Sequence, residues 1–166
     1  MLLIAAISLS VAAFIVAEDP GIVKTVTQDN QKPIDRNPPC LQMHRYITQY
    51  ADSFDIPLRY AFGIANAETS YKGPFDWKYN PAQTSCAGAV GPMQVMVSTA
   101  RHINKDTVSK EELCNNIEYN VCTSMKLLRI LYNKRHDWKI VFGEYNTGRP
   151  CINGYSNKVY NYQPKW

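Results

Sequence analysis

Apolar residues recur at every third or fourth position through most of the chain after Cys40, the spacing that places them on one face of an α-helix. The first run comprises Leu41, His44, Ile47, Ala51 and Phe54. The second comprises Leu58, Ala61, Ile64, Ala65 and Glu68. Pro57 suits the first turn of this second helix.

The second half of the chain carries a longer helical pattern. Ser109 and Glu112 have the spacing of a capping box, and a long amphipathic run follows them. Its members are Ile117, Val121, Met125, Leu128, Leu131 and Tyr132. We expect this helix to be the central buried one, followed by a short helix that Asp137 caps and by a last turn or two at residues 155–160.

Strand signals are sparse. Alternation of polar and apolar positions fails almost everywhere except at residues 74–81. That segment allows a small β element in the loop after Glu68. The pattern therefore predicts a single, mainly α domain.

The N-terminal part of the chain differs from the rest. Residues 1–17 are apolar and uncharged, and an acidic pair and a proline follow them. This run has the length of a signal-peptide core and is short for a membrane span. We expect residues 1–17 to be a signal peptide or an inner-membrane anchor, residues 18–39 to be a proline-containing linker, and residues 40–166 to form the domain in the periplasm or outside the cell.

Composition narrows the class of partner and site. The net charge of +4 is spread along the chain, so we do not expect a nucleic-acid partner. The five cysteines include no CxxC pair and the histidines lack ligand spacing, so we expect no metal and no cofactor. In an exported chain cysteines indicate disulfides, and an odd number leaves at least one thiol free or paired with another chain.

Glu68 is the first candidate for chemistry. It lies at the C-terminal end of an apolar helix, where the helix dipole and the apolar neighbours both raise the pKa of a carboxyl. A raised pKa suits a general acid. A solvated glutamate at a helix end is the ordinary alternative, so Glu68 needs support from other segments.

Two later segments have the character of a sugar site. In residues 87–96, small residues let the backbone approach a ligand, and Gln94 offers an amide. In residues 143–148, Tyr145 and Asn146 precede a glycine turn, which pairs an aromatic ring with an amide. Either segment alone is only a loop.

Together, these segments resemble the motifs of the soluble lytic transglycosylase (SLT) domain family in order and spacing. The matching motifs are Glu68-Thr69-Ser70, Gly88 to Gln94, Asn116-Ile117, Tyr145-Asn146-Thr147-Gly148, and Tyr155 with Val159. The resemblance covers residues 40–160. It implies a lysozyme-like (goose-type or SLT) fold around a cleft, and cleavage of peptidoglycan strands between N-acetylmuramic acid and N-acetylglucosamine.

The resemblance also implies a role for each matching residue. Glu68 would protonate the glycosidic oxygen and then take the proton of the C6 hydroxyl, which gives a 1,6-anhydro product without water. The substrate's own N-acetyl group would stabilise the positive charge, so one protein carboxylate suffices, unlike the usual glycosidase pair. The implied substrate-binding residues are Ser70, Met93, Gln94, Tyr145, Asn146 and Tyr155, with Tyr155 orienting Glu68.

The cysteines extend the resemblance to the small transglycosylases of secretion and conjugation systems. Cys40 and Cys114 resemble the cysteine pair of those enzymes, so we expect that disulfide and an envelope-spanning assembly as a partner. We further expect Cys86 to pair with Cys151 and Cys122 to be buried in the long helix.

Three positions depart from the family pattern and keep alternatives open. Thr69 stands for a common Ser, Pro92 for a common Leu, and Glu144 for a small apolar residue. Glu144 could modulate Glu68 by raising its pKa further, or it could position a water molecule.

Two other functions therefore stay open. One is a hydrolytic goose-type lysozyme with Asp76 or Glu144 as a helper, and the other is a non-catalytic glycan-binding module of an envelope complex. Trp77 and Tyr79 fit core positions and sugar-stacking platforms equally well.

Overall fold

The computed structural model describes residues 35–166, and within them the chain is helical with short connections. The predicted signal or anchor segment and most of the predicted linker, residues 1–34, lie outside the described residues. The described residues form seven helices in this order: α1 (Pro39–Ser53), α2 (Leu58–Thr69), α3 (Val97–Asn104), α4 (Lys110–Asn115), α5 (Ile117–Arg135), α6 (Trp138–Thr147) and α7 (Gly154–Tyr160). Within residues 35–166, none of these helices has both the length and the apolar character needed to cross a bilayer.

Local signals account for several helix ends. A proline lies in the first turn of α1, and Pro57 is the residue that precedes α2. The Asp137 carboxylate accepts from the backbone N–H groups that open α6. α2 ends at Ser70, whose φ of 59° is left-handed and breaks the helix directly after the turn that carries Glu68.

The predicted helix after Ser109 is two helices. The Ser109 side chain accepts from the backbone N–H of Glu112 and starts α4, as the spacing predicts. Asn116 then ends α4, and its side chain accepts from the backbone N–H of Tyr119, which starts α5. Asn116 is thus a second N-cap within a stretch whose apolar spacing hardly changes.

α5 is the central helix of the described domain. Its residues Val121, Met125 and Leu128 have no exposed surface, and it packs against α1, α3, α4 and α6. α2 packs between α1 and α7. The mainly α expectation is confirmed.

The loop between α2 and α3 contains isolated β-bridges, and the part of the chain that the structure describes has no strand. The bridges are antiparallel and join Val90 to Thr84 and to Val95. They follow residues 74–81, where two prolines cannot donate backbone hydrogen bonds. The small β element is therefore present only as bridges, and later in the loop than the alternation suggested.

Cys40 and Cys114 are free thiols in the structure, so the expected disulfide between them is not formed. Cys40 is buried in the first turn of α1, and its carbonyl accepts from the Tyr71 hydroxyl at 2.9 Å. The Cys114 sulfur on α4 lies 3.9 Å from the carbonyl oxygen of Gln83. The two cysteines contact different residues, and the resemblance could not predict these contacts.

The other cysteine expectations are also corrected. Cys86 is exposed and Cys151 is half-buried, and both are free thiols. Cys122 is half-buried on α5 rather than fully buried.

Candidate active site

Glu68 lies in the last turn of α2 and is half-buried against α7. Its Oε1 accepts a hydrogen bond from the Tyr155 hydroxyl at 2.5 Å. Tyr155 follows the first residue of α7, and the Asn153 side chain caps that helix by accepting from the backbone N–H of Ser156. The cap fixes the turn that aims Tyr155 at Glu68.

A glycine permits the close approach of α7 to α2. A Cβ atom at Gly63 would lie 3.0 Å from the carbonyl oxygen of Val159, tighter than ordinary van der Waals contact. Val159 is one turn beyond Tyr155 on α7. The contact therefore helps to set the distance between the two helices that carry Glu68 and Tyr155.

The Glu68 carboxyl has a raised pKa. Burial is the largest influence and raises the pKa above its ordinary value of 4.5, while the Tyr155 hydrogen bond and the charge of Lys158 lower it. Burial and the Glu68 charge raise the pKa of Tyr155 well above its usual range, so Tyr155 stays a donor. Glu68 therefore holds its proton to higher pH than an exposed glutamate does.

Tyr145 on α6 is the third member of this cluster. Burial raises the pKa of Tyr145, and the Glu68 charge raises it further. The Tyr145 hydroxyl donates to the carbonyl of Met93 at 2.7 Å and lies 2.9 Å from Ser124 Oγ, which donates to it. The hydroxyl is thus committed within the protein, which leaves the Tyr145 ring as its surface for a ligand.

Asn120 fixes the glycine-containing loop to α5. Its fully buried side chain accepts from the Met93 N–H at 3.0 Å and donates to the carbonyls of Val90 and Leu113, each at 2.9 Å. A Cβ atom at Gly91 would lie 2.4 Å from the side-chain nitrogen of Asn120, so position 91 needs glycine.

Thr69 fixes the same loop from the other side. Its hydroxyl donates to the carbonyl of Pro92 at 2.8 Å, and the Tyr79 hydroxyl lies 2.8 Å from it. Thr69 directly follows Glu68, so this bond fastens the end of α2 to the loop. The hydroxyl is the feature that Thr69 shares with the family's common Ser.

Comparisons with known proteins show the family to which this domain belongs. A family model described as the transglycosylase SLT domain matches residues 45–165. The chain belongs to the transglycosylase SLT domain family. No curated protein matches it.

Two solved structures share the SLT fold of this chain. The 70 kDa soluble lytic transglycosylase of Escherichia coli has a TM-score of 0.55 and 24% identity, covering 70% of this chain and 18% of that one. An inactive mutant of the lytic transglycosylase Slt from Pseudomonas aeruginosa has a TM-score of 0.51 and 18% identity, covering 63% and 16%. The matched region spans less than a fifth of either relative.

A complex of a 70 kDa soluble lytic transglycosylase with bulgecin A is similar to the same degree, with a TM-score of 0.55 and 24% identity. It covers 70% of this chain and 18% of that one. The expected lysozyme-like, mainly α SLT fold is therefore confirmed.

Within this SLT domain, Met93 and Gln94 differ from simple cleft-lining side chains. The Met93 side chain has no exposed surface, so only its backbone takes part, by accepting from Tyr145. Gln94 has a left-handed φ of 50°. Its side-chain nitrogen donates to the backbone carbonyls of Gly91 and Gln83 at 2.8 and 3.2 Å. The Gln94 nitrogen thus braces the loop.

Ser70 and Asn146 are both exposed, which leaves their side chains accessible to a ligand. The Asn146 side-chain oxygen accepts only a long hydrogen bond, 3.5 Å, from Asn153.

Glu144 is not among the groups that shift the pKa of Glu68. Its carboxylate forms a two-point ion pair with Arg135, at 2.6 and 3.0 Å, and that pair lowers the pKa of Glu144. Neighbouring helix positions point about 100° apart. Tyr145 can therefore reach the cluster while Glu144 turns to the end of α5, so the structure does not support Glu144 as a modulator of Glu68.

The two aromatic candidates in the loop after α2 separate clearly. Tyr79 is 8% exposed and packs edge to face on Tyr71 at 5.0 Å, so it is a core residue. Trp77 is 65% exposed, so it is not a core residue.

Within residues 35–166, no cluster of His, Cys, Asp or Glu side chains could hold a metal ion.

Sequence reasoning missed Asn120 and Ser124, which are both fully buried. The one sequence signal for each of them is a polar residue on the face of α5 that its apolar residues place in the core.

Proposed function

We propose that this chain is a peptidoglycan lytic transglycosylase with Glu68 as its single acid and base. The observation that carries the proposal is the half-buried Glu68 carboxyl, which has a raised pKa and accepts from Tyr155 at 2.5 Å. A carboxyl that keeps its proton towards neutral pH can protonate a leaving group.

The reaction would proceed in two proton transfers. Glu68 would first protonate the glycosidic oxygen between N-acetylmuramic acid and N-acetylglucosamine, and the C–O bond would break. The resulting carboxylate would then accept the proton of the muramic C6 hydroxyl as that oxygen attacks C1. The product is a 1,6-anhydro end, and Glu68 regains its proton. The Tyr155 hydrogen bond would stabilise the carboxylate between the two transfers.

The surroundings of Glu68 favour this route over hydrolysis. Tyr155 and Lys158 are the groups besides burial that shift its pKa, and neither is a second carboxylate. Glu144 is paired with Arg135, and Asp76 acts on the pKa values of Tyr71 and Tyr79 instead. A hydrolase of this fold would need a group that positions water.

Substrate contacts would come from two exposed side chains and from the half-buried Tyr145 ring. We assign hydrogen bonds with the sugar hydroxyl and acetamido groups to Ser70 and Asn146, and ring contact to Tyr145. Met93 and Gln94 would shape the cleft through the loop backbone.

A substrate in the cell wall implies an exported protein. Residues 1–17 would then act as a signal peptide or an inner-membrane anchor, and residues 18–39 as a linker. Local opening of the wall would serve an envelope-spanning assembly, the partner class that the cysteine positions suggest.

The test is mass spectrometry of purified peptidoglycan digested with the full chain. We expect soluble muropeptides with 1,6-anhydro ends. Reducing ends would mean a hydrolytic lysozyme, and no soluble product would mean a binding module.

A further inference from the structure

Two neighbouring cavities lie where the residues after α7 pack on α2 and on the loop that follows it. The first, about 350 Å³, is lined by Phe75 and Asp76 among others, and the second, about 650 Å³, by Asn161 and Gln163. Lys72 and Trp166 line both cavities. We therefore treat the two cavities as one concave surface, the tail trough, whose parts are in the size range of small-molecule sites.

The tail trough lies on the side of α2 away from Glu68. Asn66 lines it, and Asn66 and Glu68 point about 200° apart because consecutive helix residues differ by about 100°. Phe62, one turn before Asn66, shares its side and packs edge to face on Trp166 at 5.1 Å. The trough is therefore separate from the site around Glu68 and Tyr155.

The trough has a fixed aromatic wall. The Trp166 indole lies directly on Gly73, where an added Cβ would be 2.5 Å from a ring carbon, and it meets Tyr71 at 5.9 Å. The residue is still 37% exposed, and Phe75 is 71% exposed. Single exposed aromatics are common, but two on one concave surface indicate a contact site. A fixed ring loses little conformational freedom when a ligand binds.

Some polar groups of the trough are committed and others, within the described residues, are free. The Asn66 side chain donates to the carbonyl of Tyr71 at 3.0 Å, and the Asp76 carboxylate lines the first cavity. Within residues 35–166, the side chains of Asn161, Gln163, Lys72 and Lys165 form no hydrogen bond or ion pair. Two amides can bond with hydroxyl and acetamido groups. Two ammonium groups against the one Asp76 carboxylate leave the lining with a positive excess, which can pair with a carboxylate. Aromatic rings beside them offer a surface for stacking.

We propose that the tail trough is a second, non-catalytic binding site for peptidoglycan, which takes an N-acetylated amino sugar that carries a carboxylate. The identity of this ligand rests on the proposed function. A strand held in the trough raises the effective concentration of wall around Glu68 without any new contact in the cleft. Exposed aromatics with lysines also occur on membrane-binding surfaces, but a concave site lined by amides suits a saccharide better.

Nuclear magnetic resonance of the indole N–H groups tests the site directly. The chain has 3 tryptophans, and Trp138 is an internal control because it packs among Tyr60, Tyr132 and Phe142. The full chain with Glu68→Gln is titrated with a purified disaccharide that carries a stem peptide. We expect the Trp166 signal to shift in a saturable manner while the Trp138 signal stays.

A Trp166 signal that does not move with the fragment would overturn the proposal. A signal that moves with anionic lipid vesicles and not with the fragment would overturn it as well, since the surface would then bind membrane. Neither result depends on turnover, so failure of the trough and failure of the proposed catalysis are distinguishable.

Sedimentation with insoluble peptidoglycan adds a matched pair of variants. In the Glu68→Gln background, Phe75→Ala should weaken the Kd for wall by roughly five- to tenfold, the loss expected for an aromatic contact residue. Leu58→Ala removes an apolar side chain that is 43% exposed at the other end of α2, and it should leave the Kd unchanged. Equal binding by the two variants would contradict the trough.

Discussion

Replacing Tyr155 with Phe removes the hydroxyl that donates to Glu68 and keeps the ring that packs beside it. The hydrogen bond is 2.5 Å long and ends on a carboxylate oxygen. A hydrogen bond to a charged group is worth about 1.5–3 kcal/mol, and one between neutral groups about 0.5–1.5 kcal/mol. The difference, about 1–1.5 kcal/mol, corresponds to roughly one pKa unit.

The direction of the change follows from the groups around Glu68. Burial raises its pKa, and Tyr155 and Lys158 lower it. Without the Tyr155 hydroxyl only Lys158 opposes burial, so the pKa of Glu68 rises further. Because Glu68 must carry a proton to act as an acid, activity falls as pH rises through its pKa. Tyr155→Phe should therefore move the alkaline limb of kcat/KM upward by roughly one pH unit.

The assay is a pH profile of kcat/KM on soluble glycan fragments at constant ionic strength. Tyr50→Phe is the matched control, because it removes a similar tyrosine to glutamate bond, 2.7 Å long, between Tyr50 and Glu118. Its profile should overlay that of the wild type. An alkaline limb of Tyr155→Phe that stays in place or moves downward would mean that the Tyr155 hydroxyl does not lower the pKa of Glu68.

Three further variants test the contacts of Glu144, Asn120 and Gly143. Glu144→Ala should leave the pH profile of wall cleavage unchanged, because Glu144 is paired with Arg135. A shifted alkaline limb of that profile would mean that Glu144 does act on the pKa of Glu68. Asn120→Ala should lower the free energy of unfolding in urea by about 2–4 kcal/mol, since it leaves buried backbone groups without partners, and an unchanged midpoint would contradict this. Gly143→Ala should lower the thermal midpoint, with a loss of at least about 2 kcal/mol, because its Cβ would lie 1.9 Å from the Cys151 carbonyl oxygen; wild-type stability would disprove that contact.

The helices and the place of Glu68 could be predicted from the sequence because their signals are local. Apolar periodicity, Pro57, Ser109 and Asp137 each act within one or two turns of the helix that they define. The break between α4 and α5 was missed because Asn116 interrupts the helix without interrupting the apolar spacing.

The parts that could not be predicted depend on contacts between distant residues. Arg135 is nine positions before Glu144, and only the turn between α5 and α6 brings the two charges together. In the sequence Asn120 is only a polar residue within a predicted helix. Its hydrogen bonds to the backbone of Val90 and Met93 form when that distant loop folds onto α5. The same reason applies to the thiols, whose positions sequence spacing leaves open.

In the proposed reaction, Glu68 delivers the proton that breaks the glycan. The most direct measurement is the rate of soluble product release from purified peptidoglycan by the full chain with Glu68→Gln, together with its binding to the wall. The amide has the shape of the carboxyl but cannot donate a proton as an acid. We predict that release falls by at least about a hundredfold, as loss of general-acid catalysis typically gives, while wall binding stays at the wild-type level. A variant that keeps more than about a hundredth of the wild-type rate would contradict the account.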